Sequence, residues 1–472
     1  MAKTPWFRIE KDTLGEMKVP AKAYYGIQTA RASENFRISG IRPKPEFVKA
    51  TAMIKLSAAI VNSRLGLLDK RKASAIARAA KEVMEGSFAN EFIVDVYQAG
   101  AGTSHNMNLN EVIANRALEL LGQKKGAYTK LHPNDHVNMA QSTNDVFPTA
   151  MRLAAVTMTG NLLHSLSLLE SAFRKKAREF KAVMKSGRTH LQDAVPITLG
   201  AEFLSYADCV KRCAERIKES SLPLKSLGIG GTAIGTGLNA HPRYGAMMVK
   251  TLSLISGIKG LKRHENAIEA TNSMADFVEF SGALRALAIE LIRVSNDIRL
   301  LSSGPRTGLS EIKLPPMQPG SSIMPGKINP VMAEMLNMVS FQVMGNDLAI
   351  AAAAQAGQLE LNVMMPVINY NVLQSVEILA NAIEAFAKKC VEGISADKKR
   401  CLEHFEKSVG LATVLNPVIG YEKAAMIAKE AAGRNITIRE LIIEKGILKK
   451  DALERLLGRD NLIQPRKPGK RR

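Results

Sequence analysis

The segment Gly320-Ser-Ser-Ile-Met-Pro-Gly-Lys-Ile-Asn-Pro330 sets Ser321, Ser322 and Lys327 among two glycines and two prolines. Those glycines and prolines impose fixed turns. A plain surface loop would leave Ile323, Met324 and Ile328 in water at a free-energy cost. A loop of this mixed character between two long helical patterns suits a lid or an active-site loop. Two phosphate-binding readings fail. Gly320–Lys327 spaces its glycines one residue too far apart for a P-loop, lacks a Ser or Thr after the lysine, and follows no strand pattern. Gly235-Thr-Gly-Leu-Asn-Ala240 has the form G-x-G-x-x-A, but His241-Pro242 cannot open a helix cleanly after it. His132 and His136 are four apart with Pro133 between them, so they read as polar loop residues and not as a helical metal pair.

The formal charge is +21 over 472 residues. That balance could serve nucleic acid, a membrane surface or small anions. No basic run is interleaved with aromatics and no zinc-finger or basic-heptad pattern is present, which excludes nucleic-acid binding as the expectation. A positive field that concentrates a small dianionic substrate fits better. The densest cluster, Arg466-Lys-Pro-Gly-Lys-Arg-Arg472, reads as a disordered appendage. No apolar run approaches the roughly 18 residues of a spanning helix. The N-terminus has no apolar signal-peptide core. Cys209, Cys213, Cys390 and Cys401 form no C-x-x-C pair and read as reduced core thiols, so the cytoplasm is the expected location.

Apolar residues make up 46% of the chain and aromatics only 5%, a balance that favours helices over β-sandwiches. Residues 1–45 mix Pro, Gly and polar residues and suggest irregular structure. Helical periodicity follows around Phe47–Leu65, Lys70–Glu85 and Asn106–Leu121. Long helical segments then run near 147–181, 197–221, 272–302, 329–355 and 362–392. In the clearest, Phe277, Phe280, Leu284, Leu287, Leu291, Val294, Ile298 and Leu301 step by alternating threes and fours onto one face. Ile289 and Ile292 widen that face, as expected of a bundle with neighbours on several sides. Shorter patterns at Tyr421–Ala432, Ile438–Lys445 and Lys449–Leu457 suggest a small terminal domain. The expected division is 1–141 (mixed, mostly helical), 142–394 (long-helix bundle) and 395–472 (small helical domain with the basic tail).

The Gly320–Pro330 loop resembles the signature of the fumarase/aspartase superfamily. Gly102-Thr-Ser-His-Asn-Met-Asn108, Gln141-Ser-Thr-Asn-Asp145 and Gly187-Arg-Thr-His-Leu-Gln-Asp193 resemble that superfamily's other active-site segments, in the same order. The similarity extends from Arg8-Ile-Glu and Tyr24-Tyr-Gly-Ile-Gln-Thr29 to the C-terminal region. It implies a mainly α, three-domain fold whose central bundle forms a homotetramer, with each active site shared between three subunits. It also implies a small dicarboxylate substrate and fumarate as a product of anti-elimination, with no cofactor and no metal.

Two branches share that chemistry and differ in the leaving group, ammonia-lyases acting on aspartate and hydratases acting on malate. Ser104, Thr143, Asn134-Asp-His-Val-Asn138 and Ala356-Gly-Gln-Leu-Glu-Leu-Asn-Val-Met364 resemble the ammonia-lyase branch. His190 is what fumarases carry, although some aspartases share it, and Met365 stands where aspartases often have Glu. By resemblance Ser321 is the catalytic base. Thr103, Ser142, Thr143 and Ser322 would bind the β-carboxylate, helped by backbone N–H groups near Ile323 and Met324. Thr189, His190, Lys327 and Asn329 would hold the α-carboxylate, and Asn144 the amino group.

Overall fold

The computed structural model describes residues 6–458 and 462; the basic cluster at 466–472 lies outside the described residues. Helices dominate and the strands form only two-stranded sheets. The chain divides into two compact units. One comprises residues 1–163, 215–286 and 341–380, the other residues 164–214, 287–340 and 381–472.

The first unit begins where the sequence suggested irregular structure, and there the expectation is corrected. Phe7–Asp12 and Gly15–Pro20 pair as an antiparallel hairpin, and Ile27–Asn35 is helical. These elements are too short for periodicity to reveal. The helix Ile27–Asn35 has no side-chain cap of its own. Glu111 caps it from the helix Thr103–Leu120, accepting N–H bonds from Gly26, Gln28 and Thr29 and a hydroxyl bond from Thr29. Burial pushes the Glu111 carboxyl up to about 7 despite those donors.

The helices Pro45–Arg64, Lys70–Met84 and Thr103–Leu120 bury one shared core that includes Ala52, Ile76, Leu109, Val112 and Ile113. Their ends follow local chemistry. Pro45 stands at the first turn, and Asp69 accepts the N–H groups of Arg71 and Lys72. The expected segments reappear within a few residues as Thr143–Glu179, Leu199–Ser220, Ala275–Leu301, Val331–Ala354 and Met365–Lys389. Each of these five contributes residues to both units. The whole Phe277–Leu301 stripe is buried, whereas Ile289 is 47% exposed. Met338, Phe341 and Leu348 on Val331–Ala354 are exposed as well.

In the second unit the hairpin Met184–Thr189/Gln192–Thr198 stands beside the C-terminal helices. Those helices bury a separate small core around Phe405, Leu411, Ile427, Leu441 and Leu453. All four cysteines are buried and outside any disulfide.

Replacing Glu111 with alanine would leave three backbone donors without a partner. Glu111→Ala is expected to lower unfolding free energy by about 3 kcal/mol, measured by denaturant titration. A change below about 0.5 kcal/mol would remove the capping role.

Candidate active site

The sequence-derived residues fall into two groups, one in each unit. In the first, Gly102 precedes the helix Thr103–Leu120 at φ +92, and a Cβ there would lie 2.1 Å from the Phe147 ring. Only glycine fits. Thr103 is exposed and its hydroxyl donates to the Gly100 carbonyl at 2.6 Å. One turn on, Asn106 donates its side-chain amide to the Thr143 hydroxyl at 3.1 Å and to Asn138 Oδ1. Thr103 and Thr143 are thus tied through one helix.

Ser142–Asp145 opens the helix Thr143–Glu179 as a reciprocal cap. Ser142 Oγ accepts the Asn144 N–H at 3.2 Å, and Asp145 Oδ1 accepts the Ser142 N–H at 2.9 Å. Asp145 Oδ2 takes two more, from Gly230 and Thr232. Asn144 Nδ2 donates to the Ala233 carbonyl at 2.7 Å. Beneath this turn the fully buried Lys55 donates to Asn138 Oδ1 and Gln141 Oε1. Burial drives both ionisable groups toward their neutral forms. The Lys55 ammonium falls to about 7 and the Asp145 carboxyl rises to about 6, each partly offset by the other's charge.

In the second unit, Thr189 and His190 occupy the exposed tip of the Met184–Thr198 hairpin. The two-residue connection His190-Leu191 has φ +55 and φ +57. That is the backbone of a type I′ turn, which usually takes Asn or Gly. Such conformations in side-chain-bearing residues are strained by about 1–3 kcal/mol and persist where the surroundings enforce them. Side-chain bonds along the hairpin's first strand supply that enforcement. Arg188 donates to Glu311 at 2.8 Å, Lys185 lies 2.6 Å from Glu202 and 3.1 Å from Glu311, and His404 Nδ1 reaches Glu311 at 2.9 Å. Burial alone would raise the Glu311 carboxyl, but the Arg188 bond, Lys185 and His404 together hold it below its ordinary range. Gly187 is required at the bulge because a Cβ there would meet the Val195 carbonyl at 2.5 Å.

The loop expected to carry the base also lies in this unit. Ser321 Oγ accepts N–H bonds from Ile323 at 3.2 Å and Met324 at 3.1 Å. Across the neck, the Gly320 N–H donates to the Lys327 carbonyl at 2.8 Å and Asn329 Nδ2 donates to the Gly320 carbonyl at 2.6 Å. A Cβ on Gly320 would lie 2.4 Å from that Lys327 oxygen. Ser322, Ile323, Met324, Lys327 and Ile328 all face solvent. The apolar side chains, expected from their composition to be covered, are bare in the single chain. A cavity of about 430 Å³ follows the loop, with Ser321, Met324 and Lys327 among its lining residues.

The structure therefore places Thr103 at the start of the helix Thr103–Leu120 and Ser142, Thr143 and Asn144 at the start of Thr143–Glu179, with Asn106 of the first helix bonded to Thr143. It gathers Ser321, Ser322, Ile323, Met324, Lys327 and Asn329 in one loop. Among the described residues no hydrogen bond joins that loop to Thr189 or His190. No cluster of three or more His, Cys, Asp or Glu side chains with metal-site geometry occurs among them either. Sequence reasoning missed Lys55, Asn106 and Asp145. Asp145 carried a usable signal, the Ser-x-x-Asp capping pattern.

Comparison with known proteins decides the family. Residues 15–345 match the family described as "Lyase", and residues 411–464 match "Fumarase C C-terminus". The chain belongs to the fumarase/aspartase lyase family. The aspartate ammonia-lyase of a Bacillus species is 50% identical, covering 97% of this chain and 98% of its own. That of Pseudomonas fluorescens is 51% identical (99% and 98% covered), and that of Escherichia coli K12 is 46% identical (98% of each). Among solved structures, a cobalt-bound fumarate lyase:delta crystallin from Brucella melitensis superposes with a TM-score of 0.94 at 50% identity, covering 97% of this chain and 99% of that one. A class II fumarase from Schistosoma mansoni gives 0.92 at 39% identity, with 96% and 98% covered. The mainly α fold is thus the fold of this family.

Leu191→Gly would relieve one strained position of the hairpin tip. It is expected to raise unfolding free energy by about 1 kcal/mol in denaturant titration. A loss of stability would mean that the left-handed backbone is not strained there.

Proposed function

We propose that this enzyme is an aspartate ammonia-lyase that converts L-aspartate reversibly to fumarate and ammonia. The observation that carries the proposal is the setting of Ser321. Its oxygen already receives two backbone N–H bonds in a loop that also holds Lys327. A free serine hydroxyl is far too weak an acid to serve as a base near neutrality. Two convergent N–H dipoles, with the positive charge of Lys327 in the same loop, are what would stabilise its alkoxide. Abstraction of the Cβ proton places further negative charge on the β-carboxylate as an aci-carboxylate. Donors waiting where that charge develops lower the barrier. Thr103, Ser142, Thr143 and Ser322, with the N–H groups around Ile323 and Met324, are the proposed donors. Thr189, His190, Lys327 and Asn329 hold the α-carboxylate in this reading, and Asn144 binds the amino group. Curated aspartate ammonia-lyases at about half identity over nearly the whole chain support the leaving group.

The resemblance to the fumarase/aspartase family is the basis for reading each site as assembled from three chains of a homotetramer. Exposed apolar residues such as Phe341, Leu348 and Ile323 would be covered there. We retain the three-segment division at 141 and 394 as the domain reading of that subunit. Buried cysteines outside disulfides fit a reducing compartment, so we place the enzyme in the cytoplasm. Class II fumarate hydratase is the second reading, favoured by the fumarase structure at 39% identity.

Ultraviolet absorbance of fumarate formed from L-aspartate and from L-malate distinguishes the two. Turnover of malate alone overturns the ammonia-lyase reading. Ser321→Ala is expected to lower kcat by at least about 1,000-fold with the tetramer intact by light scattering; substantial turnover would end its assignment as base. Lys327→Met is expected to weaken aspartate and succinate alike by about tenfold or more, and unchanged inhibition by succinate would remove its carboxylate role.

A further inference from the structure

The glycine-rich segment Gly228–Gly237, which leads into the Gly235–Ala240 pattern that imitates a dinucleotide loop in sequence, is packed too closely to cradle a ligand. A Cβ on Gly230 would lie 2.7 Å from Gly245 Cα, and one on Gly235 would lie 2.4 Å from Ile268 Cα. What the segment offers Asn144 is a backbone carbonyl. Ala233 O accepts Asn144 Nδ2 at 2.7 Å. A carbonyl can only accept, so it selects the nitrogen end of the Asn144 amide and leaves Oδ1, an acceptor, free.

The turn that presents this carbonyl is held in an unfavourable shape. Thr232, a β-branched residue, has φ +57, and Gly230 has φ +90. Non-glycine residues with a branched Cβ rarely adopt that region. Both N–H groups of the turn, from Gly230 and Thr232, converge on Asp145 Oδ2 at 2.9 Å and 3.0 Å. The Thr232 hydroxyl is buried without a hydrogen-bond partner among the described residues, so no bond of its side chain enforces the shape. The backbone bonds to Asp145 do, together with those from the Gly231 N–H to the Gly228 carbonyl and from the Gly237 N–H to the Gly231 carbonyl. Asp145 and Asn144 are neighbours, so Asp145 anchors the turn and the residue before Asp145 is oriented by that turn.

We propose that the Gly230–Ala233 turn is a specificity device: by fixing the Asn144 amide it presents Oδ1 as an acceptor toward the amine of an amino-dicarboxylate. The inference rests on the ammonia-lyase reading above and adds the element that enforces it. An α-ammonium gains a charge-assisted bond to Oδ1. A hydroxyl makes a weaker neutral one, and a substrate carrying neither makes none. Thr232 and Asp145 are positioning residues here and need not touch substrate.

The test uses the full-length enzyme and the variants Thr232→Pro, Thr232→Gly and Asn144→Asp. KM and kcat for L-aspartate are read beside the inhibition constant of succinate, which has no amine. Proline cannot reach φ +57 and has no N–H for Asp145. Thr232→Pro is therefore expected to raise KM for L-aspartate by about tenfold or more, with succinate inhibition changed by less than about threefold. Glycine keeps the N–H and tolerates the backbone, so Thr232→Gly should hold both constants within about twofold. Asn144→Asp separates the idea from simple charge attraction. A carboxylate near an ammonium should tighten aspartate binding, whereas a carboxylate oxygen facing the Ala233 carbonyl has no proton to give and loses its orientation. Weaker aspartate binding is expected, again by about tenfold.

Equal loss of aspartate and succinate in a folded Thr232→Pro enzyme overturns the proposal, as does an unchanged KM for aspartate. Undiminished aspartate binding by Asn144→Asp overturns it too. If circular dichroism shows Thr232→Pro unfolded, Asn144→Asp decides. A wild-type enzyme that turns over L-malate and not L-aspartate defeats the ammonia-lyase reading itself, and this is seen before any variant is made.

Discussion

Much of the candidate site group in the first unit depends on one buried carboxylate. Asp145 accepts three backbone N–H groups, one from Ser142 at its own helix start and two from the Gly230–Thr232 turn. Burial makes its charge expensive, and the three donors with Lys55 nearby oppose that cost. Most hydroxyl and amide groups around Ser142–Asn144 take their place from this arrangement or from the Lys55–Asn138–Asn106 chain below it. The second unit repeats the logic with other partners. Glu311, entirely buried, is shared by Lys185, Arg188 and His404 and steadies the strand leading to Thr189.

Both anchors stand under strained backbone. His190 and Leu191 above Glu311, and Thr232 above Asp145, occupy the left-handed region that branched or bulky side chains avoid. Strain of this kind survives only where rigid surroundings determine it, and it gathers at sites whose geometry must not relax. The ion clusters supply rigidity that two short strands and a glycine-rich turn could not generate alone.

Much of this was legible in the sequence. The long helices carry complete apolar stripes, and Phe277–Leu301 is buried at each expected position because helix periodicity leaves little ambiguity over 25 residues. The loop Gly320–Pro330 announced itself through its mixture of turns, hydroxyls and a cation. The first 45 residues did not, because a six-residue hairpin arm gives too few alternations to distinguish it from irregular chain. Lys55 was hidden for another reason. It sits in an ordinary helical pattern, and only the tertiary placement of Asn138 and Gln141 reveals that it is buried and not solvated. Ile323, Met324 and Ile328, whose apolar side chains are costly in water, are exposed in the single chain, and sequence composition does not say which chain would cover them.

The closed neck of the Ser321 loop has a mechanical consequence. Gly320, Lys327 and Asn329 bind one another, so the loop is a ring fastened at its base. Such a ring can swing about its ends as a body while its interior geometry stays fixed. The disorder surrendered in shaping it is lost once, during folding, and not again at each encounter with substrate. Motion and geometry are thereby assigned to different parts of the same segment.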